Sequence, residues 1–126
     1  MKALLLLLVA AQASAQAPEG AAQFARNCAA CHQLDGAGVA GAFPALKGNA
    51  FVQGEATPVI ATVLKGRGGM PAFARALDDD SLAQVLSYVR QAWGNQAGAI
   101  EPAQVQAVRA TIKADNKRQG RPRVVH

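Results

Sequence analysis

Large aromatic side chains are scarce in this chain: four Phe, one Tyr and one Trp among 126 residues. A single small domain so poor in rings, and so rich in glycine and alanine, is hard pressed to fill a core from its own side chains. Cysteine occurs only at Cys28 and Cys31, and histidine only at His32 and His126. That is too little sulfur and imidazole for a four-ligand structural zinc site of the usual kind. No apolar run reaches the roughly 20 residues that span a bilayer. No nucleophile-base arrangement or spaced carboxylate pair accompanies the cysteines, which argues against a hydrolase or transferase. No internal repeat is evident.

What is present is Cys28-Ala29-Ala30-Cys31-His32. Two thiols three residues apart, with a histidine directly after the second, have the spacing of a c-type haem attachment site. Each sulfur adds to one vinyl group of the porphyrin and the imidazole binds the iron. The cysteines lie nearly one helical turn apart and reach neighbouring edges of one flat ring. Other uses of the pair need other surroundings. A thioredoxin-like redox pair needs a strand-helix-strand setting, whereas the surroundings of Cys28 are alanine-rich and helical in pattern. A plain structural disulfide stays open. A buried porphyrin would supply the apolar surface that the composition lacks.

The rest of the chain is organised around that motif. Met1-Lys2, the leucine block Leu4 to Val9 and Ala13-Ser14-Ala15 read as a secretory signal peptide over residues 1–15. An uncleaved anchor is the alternative. Export of this kind leads to a bacterial-type periplasm, and residues 16–112 then form one domain. A first helix is expected over Gly20–Ala30, with Phe24 in the core. Glycines and a proline break the pattern from Gln33 to Ala50, giving a loop that can approach a flat ligand closely. A short helix from about Thr57 to Lys65 has Thr57 as N-cap, Pro58 at the first helical position and Gly66 just past its end. Met70 follows in a glycine-rich loop before Pro71, where no apolar stripe explains it. Once the initiator is removed it is the only methionine, and it is the candidate second axial ligand of the iron.

Asp78 caps the most regular helix, whose apolar residues Leu82, Val85, Leu86, Val89 and Trp93 share one face before Gly94 closes it. A last amphipathic helix starts at Pro102 and carries Val105, Val108 and Ile112. Residues 113–126 read as a basic, disordered tail. The chain has a formal charge of +5. In the tail, Lys113, Lys117, Arg118, Arg121 and Arg123 stand against Asp115, and residues 16–112 are formally neutral. Nucleic acid is not an expected partner, because export removes the chain from it and no basic-aromatic surface pattern accompanies the tail. An acidic protein or an anionic membrane surface suits such a segment, as does plain solvation.

These residues together resemble the class I monohaem cytochromes c over about Gly20 to Gly94. Gly20, Phe24, Cys28, Cys31 and His32 match the family's first helix. Phe43 to Asn49 is similar to the loop after its haem motif, and the resemblance implies that the carbonyl of Pro44 accepts a hydrogen bond from the iron-bound imidazole. Gly69 to Phe73 resembles the loop carrying the axial methionine. Tyr88 matches the aromatic with which the last core helix crosses the first near Gly20 and Phe24. The ending Tyr88 to Asn95 is similar to cytochrome c domains and subunits of periplasmic dehydrogenases and haem-copper oxidases.

The expected fold is therefore all-α: three core helices and loops around one covalent haem c, with an extra C-terminal helix. The expected site is Cys28, Cys31, His32, Pro44 and Met70, with His32 and Met70 on the metal and no catalytic residue. The expected function is one-electron transfer between periplasmic redox proteins, from a dehydrogenase or other donor to an oxidase or reductase. Two competing readings are a haem subunit of a larger complex and a small peroxidatic or ligand-binding haem protein in which Met70 does not bind iron.

Overall fold

The crossing of two helices over a missing side chain sets the architecture. The computed structural model describes residues 16–120, so the expected leader at 1–15 and the end of the expected tail, 121–126, lie outside the described residues. Six helices follow one another: α1 Gln16–Asn27, α2 Ala29–His32, α3 Ala50–Gln53, α4 Ala56–Lys65, α5 Asp79–Gln91 and α6 Pro102–Gln119. Among the described residues no strand forms, only the isolated bridges Val39 to Phe43 and Arg67 to Met70. The fold is all-α, as expected.

α1 lies across α5 at Gly20. A Cβ on Gly20 would stand 2.5 Å from the Gln84 carbonyl oxygen and 2.8 Å from Cβ of Tyr88, so only glycine lets the backbones approach this closely. One turn on, Phe24 is 1% exposed. Its ring centroid lies 5.7 Å from that of Tyr88 and 5.1 Å from that of Trp93, and Tyr88 and Trp93 meet edge-on at 5.6 Å. Three of the chain's few aromatics are thus spent on one junction, where tilted ring pairs add to the burial of apolar area. Leu82, Val85, Leu86 and Val89 of α5 continue the core, joined by Ile60 and Leu64 of α4. α6 packs on α4 and α5 through buried Val105 and Val108, with Ile112 partly buried beside them.

The caps explain several boundaries. Asp78 Oδ1 accepts from Ser81 N at 2.8 Å, and this bond holds the Asp78 carboxyl below the usual carboxylate range. Asn49 Oδ1 accepts from Phe51 N at 2.9 Å and Val52 N at 3.1 Å, which starts the single-turn helix α3 that periodicity alone did not reveal. α4 begins at Ala56, ahead of the expected Thr57, with Glu55 at its N-cap. Pro58 is still tolerated, because the N–H groups of a first turn have no intrahelical partner.

Three further expectations are corrected. The first helix does not run unbroken to Ala30: α1 ends at Asn27, and Cys28 is a turn residue from which α2 restarts. α5 does not reach Gly94 but ends at Gln91: Ala92 turns extended, and Trp93 and Gly94 after it take positive φ values of 56° and 86°. This reversal swings the Trp93 ring back onto Phe24 instead of leaving it on the helix stripe. Finally, Lys113 to Gln119 is helical and not disordered, as α6 continues beyond Ile112. Ala, Lys, Gln and Arg favour a helix there, Arg118 pairs with Asp115, and basic residues in a last turn complement the helix dipole.

Replacing Gly20 by Ala tests the crossing. Helix propensity alone favours the change, but the clash with the Gln84 carbonyl should dominate and cost about 1–3 kcal/mol in chemical unfolding. An unchanged or raised stability would mean that α1 and α5 do not meet at this residue.

Candidate functional site

The turn at Cys28 is what presents the motif. Cys28 N bonds Phe24 O at 2.9 Å as the last rung of α1, while Cys31 N and His32 N both turn back to Cys28 O, at 3.2 and 3.0 Å. α1 is anchored through Phe24, so the rigid junction with α5 fixes where this turn points. Both cysteines are half-buried and unbridged. Burial, and next to it the neighbouring charge of Cys31, pushes the Cys28 thiol up to about 11. A reactive redox thiol has the opposite shift. The strand-helix-strand setting of a thioredoxin-like pair is also absent among the described residues.

His32 closes α2 and is only 8% exposed. Its Nδ1 lies 2.9 Å from the carbonyl oxygen of Pro44, the contact that the resemblance implied. A carbonyl accepts only, so Nδ1 carries the proton and donates, and the lone pair resides on Nε2. No hydrogen bond among the described residues involves Nε2, and every fully buried side-chain nitrogen or oxygen there has a partner, so Nε2 opens to the surface. A buried imidazole fixed at one nitrogen, with the lone pair of the other accessible, has the arrangement of a metal-binding histidine and its orienting acceptor.

The loop from Gln33 to Lys47 holds that carbonyl in place. Gly38 takes a φ of 64°, and a Cβ there would meet Phe43 O at 2.4 Å and Pro44 O at 2.7 Å. The backbone therefore folds onto itself beside His32, tied by Gly38 N to His32 O at 3.0 Å. Trp93 secures the outer turn, donating Nε1–H to Leu34 O at 3.1 Å with its ring against Gly36. Asn95 donates to Leu46 O and Val89 O, at 3.1 and 2.9 Å, and accepts from Gly48 N at 2.8 Å. Arg90 reaches Val52 O, Gly54 O and Gly98 O, at 2.7, 2.9 and 2.8 Å. Periodicity places Trp93 on the helix stripe and marks no part in the site for Asn95 or Arg90. A buried polar side chain serving loop carbonyls has no periodicity to betray it.

Met70 comes from a different element, the hairpin after α4, and shares no hydrogen bond with the cysteines, His32 or Pro44. Arg67 and Met70 exchange both backbone bonds, at 3.1 and 2.9 Å. Gly66 ends α4 with a φ of 74° in the space where a Cβ would meet Met70 O at 2.6 Å. The Met70 side chain is half-buried.

The residues present fit a haem. Leu34 is 69% exposed, and Val39, Phe43 and Phe51 are each over 40% exposed. All four belong to the stretch that follows the motif, and water-exposed apolar surface of this kind is stabilised when a flat apolar group covers it. Cys28 and Cys31 supply two thiols at the attachment spacing, His32 an accessible nitrogen, and Met70 a thioether of the soft type that haem iron accepts.

Comparison with known proteins agrees. The family described as cytochrome c oxidase, cbb3-type, subunit III matches residues 15–89. The cytochrome c subunit of the quinone alcohol dehydrogenase of Gluconobacter oxydans is 34% identical over 76% of this chain, although the aligned part covers only 23% of that subunit. The chain thus spans about a quarter of the length of the dehydrogenase subunits it matches. Cytochrome c6 of Leptolyngbya boryana is 39% identical over 60% of this chain and 91% of its own length. Cytochrome c-552 of Thermus thermophilus is 36% identical over 71% of this chain and 69% of its own.

The His32 geometry makes a measurable demand. The Nδ1 proton should be protected from solvent exchange in proton–nitrogen NMR spectra, and Gly38→Ala, which displaces the Phe43–Pro44 backbone, should abolish that protection. A freely exchanging Nδ1 proton in the wild type would show that Pro44 does not orient the ring.

Proposed function

The chain belongs to the cbb3-type cytochrome c oxidase subunit III family of c-type cytochrome domains, and from that we propose a one-electron carrier of the periplasm that uses one covalent haem c. The observation that carries this reading is the His32 arrangement, in which Pro44 takes Nδ1–H and leaves the lone pair of Nε2 accessible. Haem, when bound, supplies an iron that alternates between ferrous and ferric states.

The protein's part is to hold and tune that iron. Cys28 and Cys31 would hold the haem through two thioether bonds, and the turn at Cys28 fixes the direction of the two side chains. Nε2 of His32 would bind the iron. The Pro44 carbonyl, by accepting the Nδ1 proton, orients the ring and raises the electron donation of Nε2. The Met70 sulfur would be the other ligand. A thioether paired with an imidazole would favour the reduced iron and leave no position open, which suits outer-sphere transfer and not chemistry on a substrate.

Partners are proposed from charge and kinship. The two cytochromes of comparable length support a free carrier. The dehydrogenase subunits support a second reading, a haem domain working within a larger assembly. Among the described residues no helix is long and apolar enough to cross a membrane. The end of α6 carries Lys113 and Lys117 exposed, while Arg118 pairs with Asp115. We assign this basic end to steering toward an acidic protein or an anionic membrane surface, an attraction reaching about 10 Å at 0.1 M salt.

Met70→Ala tests the assignment. Ferric wild-type protein should show the weak thioether-to-iron charge-transfer band, and its reduced form should not bind carbon monoxide. The variant should lose the band and bind carbon monoxide when reduced. A wild type that lacks the band and binds carbon monoxide would instead support the ligand-binding reading.

A further inference from the structure

We propose that Arg109 of α6 is a positioning residue for the Met70 loop and controls how readily the Met70 sulfur leaves the iron. The proposal rests on the reading of Met70 as an axial ligand. It concerns a helix outside the region of resemblance and a side chain that the electron-transfer argument does not use.

The Met70 hairpin is held from two directions. On its upstream side α4 does the work: Gly66 N caps Thr62 O at 2.8 Å, and Gly66 packs directly against the Met70 carbonyl. Downstream, Pro71 and Ala72 lead to Phe73, whose N–H returns to Val63 O of α4 at 3.0 Å. A turn follows in which Ala76 N and Leu77 N both bond Phe73 O, at 3.1 and 3.0 Å. Arg109 grips this turn. Its Nη1 donates to Ala74 O at 2.6 Å, its Nη2 donates to Leu77 O, and its Nε donates to Asp79 Oδ1 at 2.6 Å.

One guanidinium therefore joins the segment after Met70, the first turn of α5 and the body of α6. The pair with Asp79 is largely covered, with side chains 18% and 33% exposed. Charge-assisted bonds in such a setting are stronger than those between exposed neutral groups. The planar fork matters more than the charge. Three acceptors in fixed directions match the donors of arginine, whereas lysine offers a single point of attachment. α6 is itself seated through Val105 and Val108 on α4 and α5, and Arg109 reaches the loop by its own three hydrogen bonds.

Removing the fork should leave the six helices in place and loosen the chain between Phe73 and Leu77. The Met70 end of the hairpin would then open more often, and the sulfur would vacate the iron more often. Entry of an external ligand reads this directly, because imidazole binds ferric iron only after the thioether has left.

The experiment measures imidazole association with the ferric holoprotein for wild type, Arg109→Gln, Arg109→Lys and Val105→Ala, with thermal unfolding of each. Val105→Ala weakens the seat of α6 while leaving the fork intact, so it separates general destabilisation from positioning. Arg109→Gln should speed imidazole entry about tenfold, the factor expected for losing one charged hydrogen-bond cluster. Arg109→Lys should fall between it and wild type. Val105→Ala should change the rate less than about twofold while lowering the melting temperature at least as much. An unchanged rate in Arg109→Gln, or an equal acceleration in Val105→Ala, overturns the proposal while the ligand assignment stands. A wild type without the thioether band overturns both.

Discussion

The close approach of α1 to α5 at Gly20 is the constraint on which the remaining structure depends. It brings Phe24 under Tyr88 and Trp93 and so fixes the end of α1, where Cys28 begins the turn that presents Cys31 and His32. The same junction orients α5, whose C-terminal residues hold the loop on the other side of His32. A chain with six aromatic residues has placed three of them at this point. Position of the motif and stability of the fold therefore share one cause.

Around that junction, loops are held by side chains and not by regular backbone pairing. Asn95, Arg90 and Trp93 bond the carbonyls of the segment from Leu34 to Gly54, and Arg109 bonds those after Met70. This is the expected solution where glycine-rich backbone must stay irregular to approach a flat ligand while its polar groups remain satisfied. Among the described residues no fully buried side-chain nitrogen or oxygen is left without a partner. The result is a frame in which His32 and Met70, the proposed iron ligands, come from separate elements, each with its own fastening. Such a frame suits a redox centre whose geometry should change little when its charge does.

Local pattern carried much of this. The core positions of α5 and α6, the cap at Asp78 and the stop at Gly66 were legible, because periodicity and capping chemistry act over a few residues. The Pro44 contact was legible only through family resemblance, since nothing within the loop itself points its carbonyl at His32. The break at Cys28 and the early end of α5 were not legible. In both cases the neighbouring residues favour a helix, and tertiary contacts of Phe24 and Trp93 override them. The helical extension past Ile112 is hidden because the charge of the segment points to solvation while its helix propensity points the other way. The Arg109 clamp was hidden for a further reason: its three acceptors lie some 30 or more residues away in the chain.

The central claim is that Cys28, Cys31 and His32 receive one covalently bound haem. Intact-mass spectrometry under denaturing conditions, on protein exported from cells with a competent c-type haem maturation system, tests it most directly. The account predicts a polypeptide carrying one haem that survives denaturation, and loss of that added mass when both Cys28 and Cys31 are replaced by Ala. A wild-type polypeptide mass without haem from the same cells would contradict it.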